Sequence, residues 1–202
     1  MADTRKGIVE SVKDTIVDSI RGTGEILDIT VNTVSGSIVN VVKSSGAVGT
    51  AVTSTVFDVV RGAILGTAQI GGDVGTAAKG GMVGTLRGTR EVGVEAIDAV
   101  GASGRAAVKA TSEVAGDVGN AARNAIEGAI TGARDVGLSA EQAAAAAATG
   151  ALEGAGEIGG AAVDQVRNAV TGVIGGVKIV LREPFRAEAE QPQKSEQPRK
   201  AG

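Results

Sequence analysis

Few residues in this chain have the type and spacing to do chemistry. Lys79 stands among small residues in Ala77–Gly81 (AAKGG), a composition close to a phosphate-cradling loop. A P-loop places Gly before the Lys and Ser or Thr after it, and both are missing here. Gly22–Gly24 (GTG) runs on to Leu27 where a dinucleotide fingerprint needs glycine. Glu91 and Glu95 share one side of a helical turn and could touch a divalent cation, but a solvated helix face accounts for them more simply. The chain has no His and no Cys, so imidazole acid–base work, thiolate chemistry, disulfides and zinc sites are excluded. The sequence therefore predicts no enzyme: no catalytic residue, no cofactor-binding residue, no metal ligand and no small-molecule substrate.

The elements that remain must serve packing or surfaces. At 202 residues there is room for one or two domains, and 20 basic against 23 acidic residues leave a formal charge of -3. That near-neutral balance argues against nucleic acid as the main partner. Gly (32), Ala (34) and Val (28) supply nearly half the chain, and the aromatics are Phe57 and Phe185 alone. An ordinary core draws on several aromatics for bulk, since each buries roughly 150–250 Å². Collagen is excluded because glycine keeps no three-residue period.

Residues 1–17 (MADTRKGIVESVKDTIV) carry a charge every few positions and show no apolar leader segment. Between residues 6 and 181 the longest uncharged runs, 29–42 and 44–57, have 14 residues each, short of the ~18–20 that span a bilayer. All prolines (Pro184, Pro192, Pro198) lie near the end, among Gln, Glu and Lys. The expected division is a repeat region over 1–181 and a disordered polar tail over 182–202. A cytoplasmic address, peripheral to a membrane or granule, fits the missing cysteine.

The repeat region has a period of eleven. Of 32 charged residues between 6 and 181, 31 fall in five of the eleven columns, and Glu141 is the exception. The opposite column holds Val9, Ile20, Val31, Val42, Ile64, Leu86, Ile97, Val108, Ile130, Leu152, Val163 and Ile174, aliphatic in 12 of 16 places. A third column, Ser11 through Gly176, is Gly, Ala, Ser or Thr in 15 of 16. Eleven residues make three helical turns at 3.67 per turn, which gathers these columns into an apolar arc about 160° wide. The fold class is all-α. Because the phase never slips, and loops ordinarily break phase, the expectation is one continuous amphipathic helix, roughly 260 Å long at 1.5 Å per residue. Ala143–Ala148 is a strong helix former on this lattice, and Glu141 marks a bend or reaches the rim. Two features oppose the helix: each interior glycine costs ~1 kcal/mol, and residues 29–60 are rich in β-branched types. Alone in water the chain should then be largely unfolded, with a surface or partner supplying the ordering energy.

The edges of the apolar arc differ. A basic flank (Lys13, Lys79, Arg90, Arg123, Arg134, Arg167, Lys178) contains no acid and borders the aliphatic column. An acidic column (Asp14, Glu25, Asp58, Glu91, Glu113, Asp135, Glu157) contains no base. Between acid and apolar arc runs a small-residue groove: Gly62 and Gly66, Gly84 and Gly88, Ala106 and Ala110, Gly128 and Gly132, Gly150 and Gly154, Gly172 and Gly176, at 22-residue spacing. Small-xxx-small ridges let another backbone approach closely. Aliphatic knobs backed by base complement a small groove backed by acid when helices lie parallel, side by side. Such a contact is heterologous and propagates, so the partner it suggests is a second copy of the chain.

Segments such as Gly71–Ala78 (GGDVGTAA) and Glu153–Ala162 (EGAGEIGGAA) resemble the Gly/Ala/Val/Thr-rich, charge-punctuated units of the eleven-residue-repeat lipid-surface helices of synucleins and perilipins. They are also similar to group 3 late-embryogenesis-abundant proteins. Bacterial phasins, which coat storage granules, resemble the chain in role more than in motif. The resemblance covers residues 6–181 by period and composition, and it lacks the lysine-rich synuclein signature. What it implies is a non-enzymatic protein that binds a lipid or granule surface and self-assembles as a coat or scaffold. The alternatives are a soluble eleven-repeat coiled-coil bundle or filament whose apolar faces seal on one another, and a desiccation protectant.

Overall fold

Turn chemistry divides the helical run into short segments. The computed structural model describes residues 2–23, 25–46 and 49–179. They form α1 (Ala2–Thr23), α2 (Ile26–Ser45), α3 (Thr50–Gln69), α4 (Val74–Val92), α5 (Ala96–Glu113), α6 (Val118–Val136), α7 (Ala140–Ile158) and α8 (Gly160–Val170). A hairpin of β1 (Val173–Ile174) and β2 (Val177–Lys178) follows. The all-α class holds; the single continuous helix does not. The tail assigned to 182–202 lies outside the described residues.

The physical reason is local. Gly93 (φ +69°) and Gly137 (φ +75°) adopt the left-handed conformation just past α4 and α6. There Val94 N–H bonds Thr89 C=O and Leu138 N–H bonds Ala133 C=O, satisfying carbonyls that the helix end leaves open. Asp73 then starts α4, its carboxylate accepting from Gly75 N–H at 2.9 Å and Thr76 N–H at 3.3 Å. Asp117 starts α6 by accepting from Asn120 N–H, and Ser139 starts α7 by accepting from Gln142 N–H. These stops spend only three or four residues. Helices α4, α5, α6 and α7 begin at 74, 96, 118 and 140, so helix plus turn is 22 residues, two full eleven-residue units. The phase survives the loops, which is why it could not reveal them.

The eight helices make two layers. Helices α1, α3, α5 and α7 lie side by side in one, α2, α4, α6 and α8 in the other, and consecutive helices pack across. Within a layer the helices run parallel: Gly84 and Gly88 of α4 lie against Val31 and Ser35 of α2, in the same order. The apolar arcs face inward between layers, burying Ile16, Ile38, Val56, Ile64, Met82, Leu86, Ile126 and Ile130 completely. Each such side chain contributes ~1.5–3 kcal/mol, against the ~1 kcal/mol that a helical glycine costs. The apolar side chains are thus covered between the layers of one chain.

The repeat also ends early. After Val170, Gly172 (φ +110°), Gly175 (φ +56°) and Gly176 (φ +82°) all leave the helical region. Val173 pairs with Lys178 and Ile174 with Val177, a two-residue Gly-Gly turn suited to a hairpin. Gly172 and Gly176 are thus turn glycines and not part of a helix groove. The β-branched stretch 29–60 is helical in α2 and α3, broken around Gly46 (φ +63°) and Gly49 (φ +55°).

Candidate functional site

The repeated chemistry of this fold is the seam between helix n and helix n+2. A Cβ built on Gly62 would meet Val9 O at 2.7 Å, on Gly66 Lys13 O at 2.7 Å, and on Gly84 Val31 O at 2.7 Å. A Cβ on Gly128 would meet Lys79 O at 2.5 Å, on Gly154 Arg105 O at 2.8 Å and on Gly88 Ser35 O at 3.1 Å, while one on Gly132 would meet the Leu86 side chain at 2.8 Å. Gly150 lies directly against the Gly101 carbonyl, and Gly104 against that of Ala147. No side chain fits where a backbone already sits. Ala106 and Ala110 of α5 are fully buried. Gly62, Gly84, Gly128 and Gly150 and their partners four residues on thus do one job, bringing parallel backbones into contact. The parallel knob-against-groove contact that the spacing assigns to neighbouring chains is made within one chain.

Of the apolar column, Val9, Ile20, Val31, Val42, Ile64, Leu86, Val108, Ile130 and Ile174 are buried, with Ile174 in β1. Ile97, Leu152 and Val163 are half-buried. Glu141 is exposed in the first turn of α7, where the Ser139 hydroxyl bonds its carboxylate at 2.9 Å. Its own backbone N–H and Ser139 hold its carboxyl below the usual range. The bend assigned to it is the α6–α7 turn.

Charge follows the same seams. Lys43 of α2 pairs with Glu91 of α4 at 3.1 Å, and Arg61 of α3 with Glu113 of α5 at 2.6 Å. Lys79 and Arg87 of α4 pair with Glu127 and Asp135 of α6 at 3.6 and 3.4 Å. Arg105 and Lys109 of α5 both reach Glu157 of α7. In each of these six pairs the base stands on helix n and the acid on helix n+2, a directional ladder on the outer surface. Exposed pairs of this kind contribute ~0–1 kcal/mol each, so the ladder sets register more than stability.

The ladder draws on different bases from the flank read in the sequence. Of that flank, Lys79 joins it directly, and Arg90 donates to the Asp135 carbonyl at 3.2 Å. Lys13 bonds Glu10 and Arg123 pairs with Glu127, each on its own helix. Arg134 donates to Gly175 O at 3.3 Å in the hairpin turn. Arg167 on α8 and Lys178 on β2 are exposed. The bases that sequence reading missed are Lys43, Arg61, Arg87, Arg105 and Lys109. Opposite charges at spacings of 48 (43/91, 79/127, 87/135, 109/157) or 52 (61/113, 105/157) were the available signal. From the acidic column, Glu91, Glu113, Asp135 and Glu157 join the ladder, Asp58 is buried in α3, and Asp14 and Glu25 are exposed on α1 and beside α2.

Among the described residues no group of three acidic, His or Cys side chains is placed to hold a metal ion. Lys79 and its glycines lie in mid-helix on α4, with no loop to cradle a phosphate. Thr50–Gln69 is long and apolar enough to cross a membrane by length and composition, but it carries Asp58 and Arg61 and is mostly buried between its neighbours. No protein-family model matches the chain, and no curated protein matches it.

Proposed function

We propose that the protein is a non-enzymatic structural unit that works in its folded form, as a short two-layer helical stack serving a scaffold. The observation that carries this reading is the seating of glycines on carbonyls in the n/n+2 seams. On a lipid surface those glycines would only cost helix propensity; in the stack each has a backbone against it. Circular dichroism at micromolar concentration tests the reading. It calls for high helix content without vesicles and one cooperative thermal transition. A chain largely unfolded in buffer, becoming helical only with anionic vesicles, would overturn it.

A lipid- or granule-coating role is the second reading, and one observation favours it. Helix plus turn is 22 residues for α4, α5 and α6, and no proline occurs between 2 and 179, so straightening those turns would leave their apolar faces on one side. That opening would give up the glycine seams. The stack is also finite at its edges: a Cβ on Gly36 of α2 would meet nothing within 4 Å, and Asn32 and Asn40 beside it are exposed. At the other end α7 carries no base to continue its layer's ladder, while α8 carries the exposed Arg167. A polar outer face is what a capping repeat needs, which supports a limited unit over an endless array.

A further inference from the structure

Phe57 is the one aromatic side chain among the described residues, and it is not in the core. It stands half-buried on α3, while the largest fully buried side chains are Ile, Leu, Met and Val. Arg105 Cζ and Lys109 Nζ of α5 lie 5.6 and 5.8 Å from its ring centroid, within cation–π range of its face. This seam is built unlike the others. Gly62 and Gly66 of α3 face α1, and Gly101 and Gly104 of α5 face α7, so no glycine draws α3 and α5 together. An open cleft of about 340 Å³ lies there, lined by Thr53, Ser54, Phe57, Ala102, Arg105 and Lys109.

No carboxylate lines that cleft. Arg105 and Lys109 share one acid, Glu157, whose carboxylate accepts from Lys109 at 2.5 Å and also meets Arg105. One negative charge serves two positive ones. A guanidinium carries five N–H donors and an ammonium three, so most of the donor capacity of this pair is unspent on Glu157. Thr53 and Ser54 donate to the carbonyls of Thr50 and Ala51 at 2.9 and 3.0 Å, and a χ1 rotation re-aims either hydroxyl.

We propose that this cleft binds a phosphate oxyanion, held by Arg105 and Lys109 with Thr53 and Ser54 at its rim. A tetrahedral dianion suits the site because it offers several oxygens to a planar fork, an ammonium and two hydroxyls at once. Glu157 is its built-in competitor for the same two cations. The phosphate is that of a soluble monoester or of a monoester lipid headgroup, since both present the same three free oxygens.

The test uses the full chain and inorganic phosphate, titrated by calorimetry against sodium chloride of matched ionic strength. Glu157→Gln removes the competitor and should tighten phosphate binding at least threefold. Arg105→Gln with Lys109→Gln should weaken it tenfold or more, and Arg105→Lys should retain part of the affinity. Far-ultraviolet dichroism of each variant separates lost binding from lost fold. Phosphatidic acid vesicles, which present a phosphomonoester, assign the oxyanion to a headgroup if their binding follows the same variants; inorganic phosphate binding without vesicle binding assigns it to a soluble ester. If Glu157→Gln binds no tighter than the parent, or the folded double variant binds as well, the cleft is packing and not a site.

Discussion

The α carbon of Gly84 on α4 lies so close to the Val31 carbonyl of α2 that an added methyl would stand 2.7 Å from the oxygen. The equivalent approach recurs at Gly62 on Val9 and at Gly128 on Lys79. These contacts fix how near the layers' helices can lie. Gly84→Ala gains ~1 kcal/mol of helix propensity but overpacks the seam, which costs about 1–3 kcal/mol, and a rigid carbonyl gives little ground. The expected outcome is net destabilisation. Gly36→Ala has the same propensity gain and open space around it, so it should stabilise by up to ~1 kcal/mol. Urea unfolding of the two variants, one falling and one rising, checks the assignment.

The charge ladder should be weak and salt-sensitive. Arg87→Glu alone places two acids together with Asp135, and adding Asp135→Arg restores an opposite pair. The coupling energy in that double-mutant cycle should be below ~1 kcal/mol. It should shrink as salt rises, because exposed charges are screened over ~10 Å at 0.1 M.

Acid should loosen the start of α4. The Thr76 hydroxyl first, and the Gly75 and Thr76 backbone N–H groups after it, hold the Asp73 carboxyl below its usual range. A carboxyl more acidic folded than unfolded adds stability above the unfolded value, about 3.9. That contribution is lost as pH falls through the folded value. Asp73→Ala should cost ~1 kcal/mol at neutral pH through the lost cap. It should also flatten the stability-versus-pH curve below pH ~4, measured by thermal melts across that range.

Amphipathic phase and close helix approach are written in the sequence; turn positions are not written in that phase, nor is helix register. The wheel that puts Val31, Ile64 and Leu86 on one face is the wheel the layers bury, because amphipathic phase is a local property. The groove glycines carry a signal in their four-residue spacing, since only small residues permit close approach. The turns did not show in the phase, because α4 and its turn fill two full repeats. Their own signature lies elsewhere: Gly72-Asp73-Val74-Gly75 and Gly116-Asp117-Val118-Gly119 recur 44 residues apart, each an Asp cap after a glycine. The ladder bases at 48 and 52 residues are set by how far each helix slides along its neighbour, which no single helix encodes.

Two buried hydroxyls offer a separate check on the packing. Thr30 on α2 and Thr111 on α5 have no hydrogen-bond partner for Oγ1, whereas Thr67, Thr85 and Thr89 bond a carbonyl four residues back. An unsatisfied buried donor costs about 1–3 kcal/mol. Thr111→Val keeps the shape and removes the donor, so it should raise stability by ~1 kcal/mol. Thr85→Val, losing a made bond, should not; calorimetric melting temperatures distinguish the two.

The chain is a stack of parallel n/n+2 helices and not an extended rod. Because the chain has no cysteine, Arg87→Cys with Asp135→Cys gives two clean spin-label positions, on α4 and α6. Their side chains are 3.4 Å apart in the stack. In a continuous helix the 48 intervening steps would separate them by about 72 Å at 1.5 Å per residue. Double electron–electron resonance on the labelled protein in buffer should return a narrow distribution below ~25 Å, allowing for two label arms. A distribution centred near ~70 Å would contradict the account.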